Sequence, residues 1–193
     1  VGGVLAGTAL VISGARSITL GEAERGYLGW VSGYSLGVPH EVYVGLLVLA
    51  LAHVVQSRTR FGRYSAAIGA GEAAAYASGV KVDRTKILAL TLSGALAAFA
   101  GVILAGRLSS GSPTLANELL LPAIAAVVVG GTAITGGIGS IWRTAIGALI
   151  ISVVRIGMTF IGVDIFAQQI VFGAVLILAV AITIDRSKIP IVK

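Results

Sequence analysis

A glycine-rich segment from Gly130 to Gly139 is the first candidate for chemistry, because the backbone N–H groups of glycine loops bind phosphates. A Walker A sequence places Gly-Lys-Ser/Thr after its second glycine, and no lysine lies near this segment. A dinucleotide fingerprint requires a last glycine at the position of Trp142. We therefore expect that this chain alone does not hydrolyse nucleotide.

The other reactive residue types are too few or too scattered to predict an enzyme. The sequence has no cysteine, which excludes disulfides, thiolate metal sites and cysteine catalysis. Its two histidines, His40 and His53, are too few to form a metal centre by themselves. No paired carboxylates, HExxH motif or GxSxG motif stand in a usable context. We expect a non-catalytic chain that carries no cofactor and no metal.

The composition is that of an integral membrane protein. Of 193 residues, 56% are hydrophobic and 11% are charged, and the mean hydropathy is +0.99. An ordinary soluble domain has about 25% charged residues. The pI of about 10.1 does not indicate nucleic-acid binding, because the basic residues are scattered between long apolar runs. Since the chain starts at Val1 inside an apolar run with no signal-peptide pattern, we expect a fragment of a longer protein.

The elements that must position any site are membrane-spanning helices. A helix needs roughly 20 apolar residues to cross a bilayer. We predict an all-α fold, a polytopic transmembrane helix bundle that forms a single transmembrane domain over residues 1–193. Proline and glycine break the fourth of about six segments, which is expected to be a broken or re-entrant helix. The predicted segments are residues 1–15, 42–56, 87–106, 119–135, 141–161 and 165–184.

The positive charges orient these segments if each one crosses the membrane once. Cytoplasmic loops carry an excess of Lys and Arg. With residues 58–86 as a cytoplasmic loop, the inner side receives Arg58, Arg60, Arg63, Lys81, Arg84, Lys86, Arg143, Arg186, Lys188 and Lys193. The outer side receives only Arg16, Arg25 and Arg107, while Arg155 lies within a segment. We therefore predict that loop 58–86 and the C-terminus are cytoplasmic.

The cytoplasmic loop is long for a connection between bundle helices and has an alanine-rich middle. Residues Glu72 to Ala77 favour a short helix, and Gly79 is a suitable C-terminal stop. A helix with such small side chains fits the groove of a protein partner. The alternative is an amphipathic helix on the membrane surface, with arginines contacting lipid phosphates. The composition leaves both interpretations open.

Several separated motifs resemble one family of transport proteins over essentially the whole chain. Residues 59–64, Gly71-Glu72-Ala73-Ala74 and Ser78-Gly79 resemble the coupling loop of bacterial ABC-importer permeases. Further matches cover residues 105–110, 123–132, 136–139 and 145–150. The chain is similar to the C-terminal part of ribose-type sugar permeases, relatives of the branched-chain amino acid permeases. Four residues separate Ala74 from Gly79, which agrees with the ribose-type branch.

The resemblance implies a permease subunit of an ATP-binding-cassette importer in the bacterial inner membrane. It implies three kinds of partner: an ATP-binding cassette subunit, a second permease subunit in a homodimer or heterodimer, and a periplasmic or lipid-anchored solute-binding protein. ATP and Mg would bind to the cassette subunit. The imported solute would be a monosaccharide such as ribose. The residues that it assigns to cassette coupling are Arg63, Gly71, Glu72, Ala73, Ala74 and Gly79.

Candidate pathway or gate residues lie in two segments. Broken helices often line transport pathways. Four glycines break the segment 119–135 or follow it: Gly130, Gly131, Gly136 and Gly137. Arg155 either snorkels to the outer surface or faces the bundle interior with Ser152 and Thr159.

Leu120 and Pro122 stand where similar sugar permeases often carry acidic residues, and the nearest acid is Glu118. This departure indicates either an unusual solute specificity or a segment that only shapes the end of a helix. Gln168 and Gln169 offer hydrogen bonds to solute hydroxyls, although helix packing also explains them.

Other functions remain open on the sequence. Within the family, the solute is alternatively a branched-chain amino acid, a nucleoside or a signalling sugar. A different class is a secondary transporter driven by an ion gradient, which would need an intramembrane Asp or Glu. No acidic residue lies well inside a predicted span, and this counts against that class. A purely structural membrane subunit would not need the long basic loop.

Overall fold

The fold is that of a helical membrane protein. The computed structural model describes residues 2–19, 21, 33–35, 37–114, 117–134 and 136–183. The chain divides into two compact units, Val1–Leu51 with Asp83–Asn117 and Ala52–Val82 with Glu118–Lys193. The described helices are α1 Gly2–Ser13, α2 His40–Arg58, α3 Arg60–Ala70, α4 Glu72–Ala77, α5 Val82–Leu108, α6 Leu120–Val129, α7 Ile141–Phe160 and α8 Ile165–Thr183, with a 3₁₀ turn at Asn117–Leu119.

The apolar helices agree with the predicted membrane bundle. In the part of the chain that the structure describes, α2, α5 and α7 are long and apolar enough to cross a membrane. Three shorter apolar helices cover Gly3–Ser13, Asn117–Val129 and Ile165–Ala181. The all-α membrane fold is confirmed, and the count of six crossings stays a prediction. The tail with Arg186, Lys188 and Lys193, which is predicted to be cytoplasmic, lies outside the described residues.

The first unit contains helices with exposed apolar surfaces and two short antiparallel ladders. Strand β1 (Ile18–Thr19) pairs with β4 (Ser110–Gly111), and β2 (Tyr34–Ser35) pairs with β3 (Val38–Pro39). The guanidinium of Arg107 donates to the carboxylate of Glu41 at 3.4 Å. The start of α2 and the end of α5 therefore lie at the same end of this unit, as alternating crossings require.

The second unit has a small buried core where α6 packs against α7 and α8. Ala125, Ala126, Ile151 and Phe172 form this core, and Phe172 is only 2% exposed. Helices in lipid associate through close packing of small side chains rather than through the hydrophobic effect. Gly147 of α7 follows this rule, because a Cβ atom there would lie 2.2 Å from the carbonyl oxygen of Ala126.

The break predicted between residues 119 and 135 is confirmed at the end of α6. The helix stops at Val129, and Gly131 takes a left-handed φ of +74°. The N–H of Gly131 bonds to the Val128 carbonyl at 2.8 Å, and the N–H of Thr132 bonds to the Val127 carbonyl at 3.2 Å. These two bonds form a Schellman motif, which satisfies carbonyls at a helix end. The chain then runs irregularly as far as α7.

The short helix predicted in the loop is also confirmed. Helix α4 covers Glu72–Ala77, and Gly79 has a φ of +79°. Bonds from Gly79 N–H to the Tyr76 carbonyl at 2.9 Å and from Val80 N–H to the Ala75 carbonyl at 3.1 Å complete a second Schellman motif. Helix α3, which precedes α4, was not predicted from the sequence. The hydroxyl of Thr59 caps α3 by accepting from the N–H of Gly62 at 3.4 Å.

Candidate functional site

Helix α4 projects most of its side chains away from the rest of its unit. Ala75 is buried at 5% exposure, whereas Glu72, Ala73, Ala74 and Ala77 are exposed. The ring of Tyr76 is 74% exposed. The helix therefore presents a large ring on a surface of small side chains.

Helix α3 has one face inside the unit and one face outside it. Gly62 and Gly69 lie on the inner face, and a Cβ atom on Gly62 would lie 2.0 Å from the carbonyl oxygen of Gln56. Arg60 and Arg63 are exposed on the outer face, together with Tyr64 at 39% exposure. The predicted coupling residue Arg63 therefore lies on the same connection as α4, on a face that is open to a partner.

The glycine-rich segment contacts α3 just before α4 begins. A Cβ atom on Gly69 would lie 2.1 Å from the backbone nitrogen of Gly137. A Cβ atom on Gly136 would lie 3.2 Å from Cα of Gly69, and one on Gly137 would lie 2.9 Å from the nitrogen of Ala70. The structure thus brings two predicted gate residues, Gly136 and Gly137, against the loop that holds the predicted coupling residues.

The side chain of Gln56, near the end of α2, forms hydrogen bonds with the glycine-rich segment and with the start of α7. Its Oε1 accepts from the N–H of Ile141 at 3.0 Å, and its Nε2 donates to the carbonyl of Gly139 at 3.3 Å. Ile141 is the first residue of α7, and the side chain of the N-cap residue Ser140 makes no capping hydrogen bond. Gln56 therefore supplies a long-range cap for α7. Next to it, the rings of His53 and Trp142 lie 5.7 Å apart at a tilt of 55°.

Gly130 and Gly131, the other two predicted gate residues, lie where α6 meets α7. A Cβ atom on Gly130 would lie 2.6 Å from the carbonyl oxygen of Arg143, so the glycine permits a close approach of backbones. Gly131 ends α6, and the hydroxyls of Thr132 and Thr144 are 3.1 Å apart. These contacts give the glycines a packing role, and their pathway role stays a prediction.

Arg155 lies on α7, five residues before the helix ends at Phe160. The residue is half-buried, and its backbone carbonyl accepts from the hydroxyl of Thr159 at 3.0 Å. Gln168, 6% exposed, donates to the Thr159 hydroxyl at 3.4 Å and to the Val163 carbonyl at 3.0 Å. Gln168 thus joins the end of α7 to the start of α8. A pathway role for Arg155 stays a prediction.

A family model for the permease component of branched-chain amino acid transport systems matches residues 3–180. The chain belongs to this permease family. The ribose import permease protein RbsC of Bacillus subtilis is 41% identical over 185 residues, which are 96% of this chain and 57% of the relative. The probable ABC transporter permease protein YphD of Escherichia coli is 41% identical over 176 residues, 91% of this chain and 52% of the relative.

A xylose permease is similar over a shorter stretch of this permease chain. The xylose transport system permease protein XylH of Haemophilus influenzae is 44% identical over 153 residues, 79% of this chain and 40% of the relative. The chain spans about half the length of the curated relatives it matches. No solved structure matches it.

Tyr76 is the residue of this permease surface that sequence reasoning missed. The motif directs attention to Glu72, Ala73 and Ala74, and an alanine-rich stretch gives no signal about which side its aromatic ring takes. Burial of Ala75 determines the outcome, since it turns the neighbouring Tyr76 outward. No group of three or more His, Asp or Glu residues that could hold a metal ion is found among the described residues of the permease.

Proposed function

We propose that this chain is the C-terminal part of a permease subunit of an ATP-binding-cassette importer, and that it forms part of the pathway for a monosaccharide. The observation that carries this proposal is the projecting helix α4, which exposes a tyrosine and small side chains beside a basic face. The similarity to ribose and xylose permeases supports the same reading. The chain itself would be non-catalytic and would bind no cofactor.

Helix α4 is the proposed docking element for the cassette subunit. Tyr residues are enriched at the energetic centres of protein interfaces because they bury a large ring at low conformational-entropy cost. Glu72 stands one helical turn before Tyr76, so both project from one face. A partner groove that receives Tyr76 and places a basic group near Glu72 would fit this surface.

The charges support a cytoplasmic position for this surface. Arg58, Arg60 and Arg63 lie on the connection that contacts the glycine-rich segment, and Arg143 lies in the first turn of α7 beside that segment. Arg107 and Glu41 pair in the other unit, in segments that the charge count assigns to the outer side. This grouping follows the positive-inside rule for the inner membrane of a bacterium.

In the proposed mechanism, the subunits have different roles. ATP and Mg would bind to the cassette subunit, and hydrolysis there would displace α4. A second permease subunit would complete the pathway, and a periplasmic or lipid-anchored binding protein would deliver the solute. The glycines between α6 and α7, together with Arg155, are the proposed gate or pathway residues. The exposed apolar side chains of α1, α5 and α7 would contact lipid or the rest of the permease.

The proposed solute is ribose or a related sugar. The similarity to ribose and xylose permeases supports this choice, whereas the family as a whole is described by branched-chain amino acid transport. Uptake of labelled ribose, challenged with excess unlabelled xylose or leucine, distinguishes the two classes. Competition by xylose is expected for a sugar importer, and competition by leucine alone would contradict the assignment.

Co-purification tests the docking surface. The tagged protein that contains this chain is extracted from native membranes in mild detergent, and bound ATPase is measured. We expect the wild type to retain an ATP-binding protein and Tyr76→Arg to lose it, because a charge would replace the ring that docking is proposed to bury. Tyr34→Arg is the matched control, since Tyr34 is 72% exposed but lies in the predicted outer loop.

The outcomes separate the proposal from its rivals. Retention by the wild type and by Tyr34→Arg, with loss from Tyr76→Arg, supports docking through α4. Equal retention by all three proteins would contradict the role of Tyr76 and α4. Absence of any ATPase from the wild type, under conditions that preserve a known importer, would favour an ion-driven carrier.

A further inference from the structure

The contact between Gly69 and Gly137 brings two backbones together with no side chain between them. A Cβ atom on Gly69 would lie 2.1 Å from the nitrogen and 2.8 Å from Cα of Gly137. From the other side, a Cβ atom on Gly137 would lie 2.9 Å from the nitrogen of Ala70. All three distances are below those that real Cβ atoms show, so even an alanine would force the segments apart. Such an interface has no flexible side chain that can absorb a displacement.

On one side of this contact, hydrogen bonds carry the chain directly into the docking helix. The N–H of Gly71 bonds to the carbonyl of Ala67 at 3.1 Å, and the N–H of Ala75 bonds to the carbonyl of Gly71 at 3.0 Å. Helices α3 and α4 are therefore connected by main-chain bonds across a single intervening residue. A force on α4 reaches Gly69 through the backbone.

On the other side, the contact leads into α7. The N–H of Ala133 bonds to the carbonyl of Ile138 at 2.9 Å and closes the turn that holds Gly137. Gln56 then bonds to Gly139 and to the first N–H of α7, at Ile141. The glycine turn is thus connected to the helix that carries Arg155.

We propose that Gly69 and Gly137 form a rigid joint that transmits displacement of the docking helix to α7. The inference rests on the proposed function, because it takes α4 as the docking element. Both glycines are positioning residues that act through backbone contact. A Cβ atom at the joint leaves α4 free to dock but separates ATP hydrolysis from solute movement.

The first test is Gly69→Ala in the purified transporter with its cassette subunit. Retained ATPase, the rate of ATP hydrolysis and labelled-ribose uptake into proteoliposomes are measured together. We expect docking and ATP hydrolysis as in the wild type, with ribose taken up per ATP lower by at least about fivefold, the lower end of typical coupling effects. Gly157→Ala is the matched control, since nothing lies within 4 Å of a Cβ atom there and no functional role is assigned to it.

The second test measures a distance across the joint and does not depend on transport activity. This chain has no cysteine, so in a transporter whose other cysteines are replaced, spin labels on Ala66→Cys in α3 and Ile146→Cys in α7 report one distance within one unit. Both positions are exposed, and Ile146 is 57% exposed. With a rigid joint, the distance stays the same with and without ATP. In Gly69→Ala, we expect a longer and broader distance distribution that changes when ATP is added.

The results distinguish the joint from the proposed function. Wild-type coupling in Gly69→Ala, or a wild-type label distance that changes with ATP, would overturn the joint. Absence of an ATPase from the wild type would instead overturn the proposed function. If Gly69→Ala does not fold, the wild-type label distance with and without ATP tests the joint without that variant, and a distance that changes with ATP would overturn it.

Discussion

Gln56 carries the sharpest stability prediction, since one side chain satisfies two backbone groups more than eighty residues away in the sequence. Its contacts are the 3.0 Å bond from the N–H of Ile141 and the 3.3 Å bond to the carbonyl of Gly139. The change Gln56→Leu keeps a similar volume and removes both bonds. A partner left unpaired costs about 1–3 kcal/mol when it is buried. Because Gln56 is only half-buried and one bond is long, we expect a total loss of about 2 kcal/mol.

Gln56→Glu separates the two bonds. The carboxylate still accepts from Ile141, and a negative charge at the N-terminus of α7 contributes roughly 0.3–1 kcal/mol through the helix dipole. The bond to Gly139 is lost, because a carboxylate does not donate. We expect a net cost below about 1 kcal/mol, because the helix-dipole contribution offsets part of the loss of one hydrogen bond.

Thermal unfolding of the detergent-solubilised protein measures these costs. In a folded domain of about 150–250 residues, 1 kcal/mol shifts Tm by roughly 2–4 °C, so Gln56→Leu lowers Tm by about 4–8 °C and Gln56→Glu by less than half as much. Ser57→Ala is the control, because the exposed Ser57 hydroxyl only donates to the carbonyl of His53 within α2. A Gln56→Leu protein as stable as Ser57→Ala would refute the long-range cap. Equal losses in the Leu and Glu variants would refute the separate contribution of Ile141.

Three further predictions concern other positions. Gly147→Val lowers the free energy of unfolding by about 1–3 kcal/mol, because its Cβ atom would meet the Ala126 carbonyl at 2.2 Å. Thermal unfolding measures this loss against the control Gly157→Val, where the space around the Cβ atom is open. Equal effects of the two substitutions would contradict the prediction. Gly79→Ala costs about 1–2 kcal/mol locally because φ is +79°, so the end of α4 frays and less ATPase co-purifies; unchanged ATPase retention would show that this end does not take part in docking. Arg155→Met abolishes ribose uptake without loss of folded protein if the side chain lines the pathway, and normal uptake by that variant would refute the pathway role.

The short docking helix and the break after α6 were predictable from local sequence. Alanine and glutamate favour the helix at Glu72–Ala77, and Gly79 ends it in a left-handed conformation, as the structure confirms. The paired glycines likewise marked the end of α6, whereas Pro122, expected to break the segment, lies in the first turn of α6, where proline is tolerated. These features follow from backbone preferences that act over a few residues.

Helix α3 was not predicted as a separate element, and the reason is physical. Gly62 and Gly69 lower the helix propensity of this stretch. In the structure the same glycines permit close approach to Gln56 and Gly137, so tertiary contacts compensate for the weak propensity. Local sequence carries no information about the contact between Gly69 and Gly137, which are far apart along the chain.

The candidate site was predictable only where it depends on motif residues. The sequence indicated Glu72, Ala73 and Ala74, but the exposure of Tyr76 depends on how α4 packs. Likewise, the glycines proposed for a gate also serve backbone packing, which spacing alone does not reveal. The bonds of Gln56 join positions that the sequence gives no reason to pair.

The most direct test of the central claim is the energy source for ribose uptake. The intact transporter is reconstituted into proteoliposomes with its binding protein, and labelled-ribose uptake is measured with and without ATP on the cassette side, and with ionophores that collapse ion gradients. An ATP-driven permease predicts uptake that requires ATP and persists with ionophores. Uptake that does not depend on ATP and stops when ion gradients collapse would contradict an ATP-driven permease.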